Sequence, residues 1–236
     1  MTQNLINAFI LIKWFLCYQL SMTDIHPKTA TRGRPRRTQS DTAEMRARIV
    51  RAARDLFARD GYEGVSMRKL AVATGCAPAA LYAYFPNRRA ILHVVWEDIF
   101  SDLAEIMEQT ASAHDDPLQR LDALARTMIS FWLDRPDDFR AIFLIEDKPQ
   151  SPDDVYFAQT SSSLSGIDRI QSAAEEAVAA DQVTLTDAAR ISHVVMSAIT
   201  GTALNVITIP EYDWGEPDTY VDDVVTGLIN GLRHRP

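Results

Sequence analysis

Two cysteines, Cys17 and Cys76, are all that this chain of 236 residues carries. They can build neither a disulfide framework nor a four-ligand zinc site, so the expected compartment is the reducing cytoplasm. Glycine is also sparse, at nine residues. None of them sits in a G-x-G-x-x-G or Walker pattern, which leaves little material for a loop that cradles phosphate. His26, His93, His114, His193 and His234 show no H-x3-H or HExxH spacing, and no metal or other cofactor is expected. A G-x-S-x-G nucleophile motif is missing as well. Positive charge is in deficit, with 24 Lys and Arg against 32 Asp and Glu for a net charge of −8. Taken as an average, that acidity argues against a polyanionic partner.

What is present changes that reading. The composition, 47% hydrophobic and 24% charged, is that of an ordinary globular protein of one or two domains. The charge is unevenly placed. From Met22 to Leu92 there are 14 Lys and Arg against 6 Asp and Glu, a local charge of +8, whereas His93 to Pro236 holds 9 against 26, or −17. A basic quarter ahead of an acidic remainder is the asymmetry of a nucleic-acid-binding head on a body that repels the duplex.

Residues 1–21 form an apolar leader. From Leu5 to Leu20, 13 of 16 positions are apolar or aromatic, which falls short of a membrane span and places Lys13 near its middle. No basic leading region and no A-x-A-like site accompany it. The expectation is an upstream extension before a start at Met22, the alternative being an apolar tail that packs or anchors; no membrane partner is expected. Residues 22–40 follow as a flexible basic arm, in which Arg32, Arg34, Arg36 and Arg37 surround Gly33 and Pro35. Such an arm tracks phosphates or a minor groove by electrostatics.

Regular structure is expected from Asp41, where Asp41 and Glu44 have the spacing of a capping box. Met45, Ile49, Ala52, Ala53, Leu56 and Phe57 then share one face of a 3.6-residue period up to Gly61. Ser66 is a good N-cap for a short helix from Met67 to Thr74, and Gly75 supplies the left-handed turn after it. A second short helix is expected over 77–85, with Pro78 in its first turn and Leu81 and Phe85 facing inward. Helix, tight glycine turn and helix make a helix-turn-helix, whose second helix enters the major groove of DNA. Ala77, Pro78, Ala79 and Ala80 would let the backbone approach the groove floor, and Tyr82 and Tyr84 can offer hydroxyls to phosphates. Arg88 and Arg89 begin the next helix, where free N–H groups also suit a phosphate.

The run from Arg54 to Ala71, followed by Thr74 to Ala77 and Leu81 to Arg88, resembles the DNA-binding domain of TetR-family transcriptional regulators. The resemblance covers about residues 43–103, with the helix-turn-helix at 66–85. It implies an all-α homodimer of about nine helices, with a three-helix DNA-binding head and a helical effector-binding and dimerisation body over 104–236. Carried over by position, Ser66 and Arg68 touch the DNA backbone, Ala77 to Ala80 and Tyr82 face bases and phosphates, and Tyr84 and Arg88 contact phosphates. Cys76 replaces the usual aliphatic, and Ala79-Ala80 replaces a common Gly-Thr or Gly-Ser pair.

Beyond the head, one helix from about Ile91 to Ile106 should lead into the body. Asp116-Pro117, Pro136-Asp137-Asp138, Ser151 to Asp154 and Pro217-Asp218 each place proline and carboxylates at a helix start. Capping explains these Asp pairs, and no enzyme is expected. The segment from Phe131 to Phe143 resembles part of one large group of TetR-type ligand-binding domains, those with a Trp-His-Gly pattern in a later helix. Trp132, Phe139, Phe143, Phe157, His193, Met196 and Asn205 are therefore candidates to line a small-molecule effector cavity. Val194, Ala198, Val221, Val225, Leu228 and Leu232, on helices expected over about 186–209 and 217–232, are candidates for the dimer interface. The resulting expectation is a cytoplasmic repressor that binds a palindromic operator and is released by a small molecule. The alternatives are a DNA-binding dimer without a ligand switch, or an activator.

Overall fold

The computed structural model describes residues 39–146, 156–157 and 165–233. The apolar leader, Arg32, Arg34, Arg36, Arg37 and the expected start at 151–154 lie outside them. The described residues form nine helices: α1 (Gln39–Asp60), α2 (Met67–Thr74), α3 (Pro78–Leu81), α4 (Arg88–Ser112), α5 (Pro117–Asp134), α6 (Pro136–Phe143), α7 (Ser165–Ala179), α8 (Ala188–Thr208) and α9 (Pro217–Leu232). No strand occurs among them; a single isolated bridge joins Val183 to Arg233. The chain divides into two compact units. The first holds the described residues up to Trp96 and those between Arg140 and Ser161, and the second holds the described residues of 97–139 and 162–236.

In the first unit, α1 starts three residues earlier than its capping box suggests, so that Asp41 lies in the first turn beside the positive end of the helix dipole. Ile49, Ala53, Leu56 and Phe57 are buried, while Ala52 is only half-buried. The core of this unit closes with Val65, Leu70, Ala71, Leu81, Phe85, Ile91 and Leu92. Gly61 ends α1 at φ 69°. Gly64 is required for a different reason, because a Cβ there would meet the Asp60 carbonyl oxygen at 2.2 Å. The end of α6 and Phe157 join this unit through Trp96: its Nε1 donates to the Ala141 carbonyl at 2.8 Å, and Phe157 packs edge-on against Trp96 and His93.

In the second unit α5 is the hub, packed against α7, α8 and α9. Its sequence accounts for this. Leu118, Leu121, Leu124, Ala125, Met128, Ile129, Phe131 and Trp132 form one buried stripe, wide enough to meet several neighbours. Asp116 caps it, accepting from Gln119 N at 2.8 Å, and Pro117 sits where a missing N–H costs nothing. Gln182 joins the end of α7 to that cap, donating to Asp116 Oδ2 at 2.6 Å and accepting from Leu118 N at 3.1 Å. Arg126, also paired with Asp122 on its own helix, ties α5 to α9 through Asp222 and Thr226. Trp132 meets Phe100, Phe131 and Phe139 edge to face. Helix α8 is long and apolar enough, by length and composition, to cross a membrane; here it packs on α5, α7 and α9.

Candidate nucleic-acid interface

Residues 66–85 build a helix-turn-helix. Ser66 is extended and caps α2, its hydroxyl accepting from Lys69 N at 3.1 Å. At the other end Gly75 has φ 67°, its N–H bonds the Val72 carbonyl at 3.1 Å, and Cys76 N bonds the Ala71 carbonyl at 2.9 Å. This is a glycine-terminated Schellman-type stop, which turns the chain sharply toward the second helix. The second helix is shorter than its sequence suggests. Only Pro78–Leu81 is α-helical, and i to i+3 bonds such as Tyr84 N to the Leu81 carbonyl, 3.0 Å, carry the turn on toward Phe85. Leu81 and Phe85 are buried as expected, and Ala77, Pro78, Ala79, Tyr82 and Ala83 are exposed, with Ala80 and Tyr84 half-buried.

Most polar side chains of the motif are used to hold the motif itself. Lys69 Nζ lies 2.8 Å from Asp60 Oδ2 and donates to the Gly64 carbonyl at 3.1 Å. Hydrogen bonds from Arg59 and Lys69 keep the Asp60 carboxylate well below its ordinary range. Thr74 Oγ1 donates to the Leu70 and Ala71 carbonyls. Cys76 Sγ rests 3.3 Å from Met45 Sδ, which is how a polarizable thiol fills the place of an aliphatic. Arg68 is exposed and, like the Tyr82 hydroxyl, makes no hydrogen bond or ion pair among the described residues.

Arg88 is anchored within the head. Its guanidinium donates to the Tyr62 and Val65 carbonyls at 2.7 Å each and to Glu63 Oε2 at 3.0 Å, and it lies 3.8 Å over the Tyr62 ring. Burial works against that charge, and the hydrogen bonds to Tyr62 and Glu63 outweigh burial, raising the pKa above its already high ordinary value. Arg88, expected on a phosphate, thus braces the α1–α2 loop against the start of α4. Sequence reasoning missed the brace because its acceptors are backbone carbonyls 23 and 26 positions away. Asn87, which it also passed over, caps α4 by accepting from Ala90 N at 2.8 Å; an Asn just before a helical period was the available signal.

The expected effector residues fall in different settings. Trp132, Phe139, Phe143 and Phe157 are buried, and Trp132 and Phe139 are in ring contact at 5.9 Å. Met196 and Asn205 are half-buried on α8. His193 does not face inward; it is exposed, because the buried side of α8 is set by Ile191, Val195, Ile199 and Ala203. Among the expected interface residues, Val221, Val225 and Leu232 are instead core of their own subunit, Val225 being only 1% exposed. They form the face that α9 turns to α5 and α8. Val194, 42% exposed, with half-buried Ala198 and Leu228, remains uncovered. Among the described residues no group of His, Cys, Asp or Glu is placed to hold a metal ion.

Comparison with known proteins bears on the same head. Residues 49–95 match the family described as bacterial regulatory proteins, tetR family. The chain is 30% identical over 87 residues to the HTH-type transcriptional regulator AcrR of Shigella flexneri, which is 36% of this chain and 40% of that protein. It is 27% identical over 77 residues to the regulator UidR of Escherichia coli K12, 32% of this chain and 39% of that one. The chain thus spans about two fifths of the length of these relatives. Among solved structures, the regulator FadR from Bacillus subtilis in complex with stearoyl-CoA superposes with a TM-score of 0.65, at 17% identity, covering 79% of this chain and 99% of that one. The likeness in fold thus extends well past the head, into the all-helical body. Over residues 49–95, which hold the helix-turn-helix, the chain thus matches the tetR family of bacterial regulatory proteins, and the fold around that head is the one the FadR structure also has.

Proposed function

We propose that the protein is a sequence-specific, DNA-binding transcriptional repressor of the cytoplasm, released from its operator by a small molecule. The observation that carries this reading is the helix-turn-helix itself. A capped α2, a left-handed glycine turn and a one-turn α3 present an exposed face of 77–83 on a motif most of whose polar groups are held internally. Arg68, Tyr82 and Tyr84, with the arginines at 32, 34, 36 and 37, supply the phosphate contacts. One such short helix touches few bases, so useful specificity calls for two copies and a palindromic operator. The uncovered apolar face around Val194, Ala198 and Leu228, on the helix of greatest apolar length, is assigned to the second copy.

The effector enters the body. A family neighbour of like fold is described in complex with stearoyl-CoA, and long-chain acyl-CoA is accordingly the first compound to assay, with Trp132 and Phe139 as the aromatic wall to probe. Footprinting on the DNA flanking the protein's own gene tests the proposal. Two-fold symmetric protection, with an affinity roughly a thousandfold or more above that for random duplex, is the expected result. Binding that does not distinguish any sequence from random DNA sinks it. Loss of that footprint on adding acyl-CoA supports the switch, and a footprint indifferent to acyl-CoA and to a wider metabolite set leaves a DNA-binding dimer without one.

A further inference from the structure

The polar groups of the head leave an unusual remainder. Ser66, Lys69, Thr74, Cys76 and Arg88 each spend their hydrogen-bonding or charged group inside the protein. The exposed surface of the second helix and its approach is then Ala77, Pro78, Ala79 and Ala83, with Ala80 half-covered. Every one of these side chains ends in a methyl or methylene. Of the polar groups left on the helix-turn-helix, Arg68 belongs to α2, Tyr84 is half-buried, and the Tyr82 hydroxyl stands at the end of a rigid ring, 54% exposed.

Resting on the DNA-binding reading above, we propose that this head selects its operator through apolar contact with thymine methyl groups, and not through side-chain hydrogen bonds to base edges. In the major groove guanine, adenine and cytosine present only donors and acceptors, whereas thymine adds a C5-methyl group. An alanine and proline surface brought against a donor or acceptor excludes water without replacing its hydrogen bond, an unfavourable exchange. The same surface against a thymine methyl gains the burial of one apolar carbon. Discrimination at each position is correspondingly modest, about fourfold, which is the Boltzmann factor for one buried methyl-sized group. A bidentate side-chain pair would give about fivefold to a hundredfold. The half-site should therefore be rich in A·T pairs opposite 77–83, with several small preferences and no single dominant base.

The test begins with selection of bound sequences from random duplexes by the full chain. Thymines in the selected half-site are then replaced one at a time by deoxyuridine, which keeps the pairing and the O4 acceptor and lacks only the methyl group. Deoxyuridine outside the protected half-sites serves as the control. The expected result is about a fourfold loss of affinity at each of two or more contacted positions and none at the control positions. Two outcomes overturn the inference while leaving the protein a sequence-specific DNA binder: uracil duplexes bound as tightly as thymine duplexes, or a selected half-site without thymine. Failure to select any sequence overturns the underlying DNA-binding reading instead. As a second measurement, Arg68→Ala should weaken binding to all duplexes alike and keep the thymine-to-uracil ratio; a variant that abolishes base preference at one position assigns the reading to Arg68 and overturns the proposal.

Discussion

Arg88→Ala separates a brace from a phosphate contact. The guanidinium makes two 2.7 Å hydrogen bonds to the Tyr62 and Val65 carbonyls and sits 3.8 Å above the Tyr62 ring. A hydrogen bond from a charged donor is worth about 1.5–3 kcal/mol, and a cation–π contact at a partly exposed site adds about 0.5–1 kcal/mol. The ion pair with Glu63 adds little, since Glu63 is 81% exposed. These contacts share one side chain and do not sum, so the expected loss is about 2–4 kcal/mol in the local stability of the α1–α2 loop and α2. Hydrogen exchange of the amides over 62–71 reads it directly. Protection should fall between about thirtyfold and several hundredfold, at one decade per 1.4 kcal/mol, with Arg88→Lys between the two because an ammonium cannot span both carbonyls. The DNA side makes the opposite demand. A phosphate contact would cost about 0.9 in the slope of log affinity against log salt, whereas a brace leaves that slope unchanged once binding is measured on the folded fraction. Exchange unaltered within a factor of two, together with a slope lowered by about one, would refute the assignment.

Two further predictions concern the body. Asp116→Ala should destabilise the second unit by about 1–2 kcal/mol at neutral pH, the usual cost of an N-cap, as read from the denaturant midpoint. The Gln119 N–H, with Gln182, lowers the Asp116 pKa in the folded protein. Its contribution is therefore complete above the unfolded value of about 3.9 and fades as pH falls through the lower folded value; a difference between variant and parent that stays constant down to pH 2 contradicts the cap. Val194→Asp combined with Leu228→Asp should give a folded monomer by light scattering, since both side chains reach the surface of the isolated subunit. A persistent dimer means the second copy sits elsewhere.

The head was legible because its signals are local. Ser66, Gly75 and Pro78 each fix a backbone event within four residues of themselves, and all three events occur where their chemistry requires. Helix starts at Asp116-Pro117, Pro136 and Pro217 were legible for the same reason. What is not legible in the sequence is non-local. Nothing adjacent to Arg88 reveals that carbonyls of the preceding loop will meet it, so its charge read as a surface charge. The apolar period of α9 correctly marked Val221, Val225 and Leu232 as a face, but a period cannot tell which surface covers that face. In the structure it is the subunit's own core. His193 was misplaced by a related ambiguity, since one turn of α8 offers several residues and only packing against α5 and α7 decides which turn inward.

The internal use of Ser66, Lys69, Thr74 and Arg88 has an evolutionary consequence. The side chains that fold the head and those that would meet a base are almost disjoint sets. Ala77, Ala79, Ala80 and Ala83 support no other residue through a polar group, so exchanging them for serine, asparagine or glutamine would alter recognition with little cost to folding. A gene duplicate carrying such a head could acquire a new operator in a few single steps, each passing through a folded protein. In that sense the alanine surface is the least committed state of the scaffold, from which many recognition codes lie a short mutational distance away.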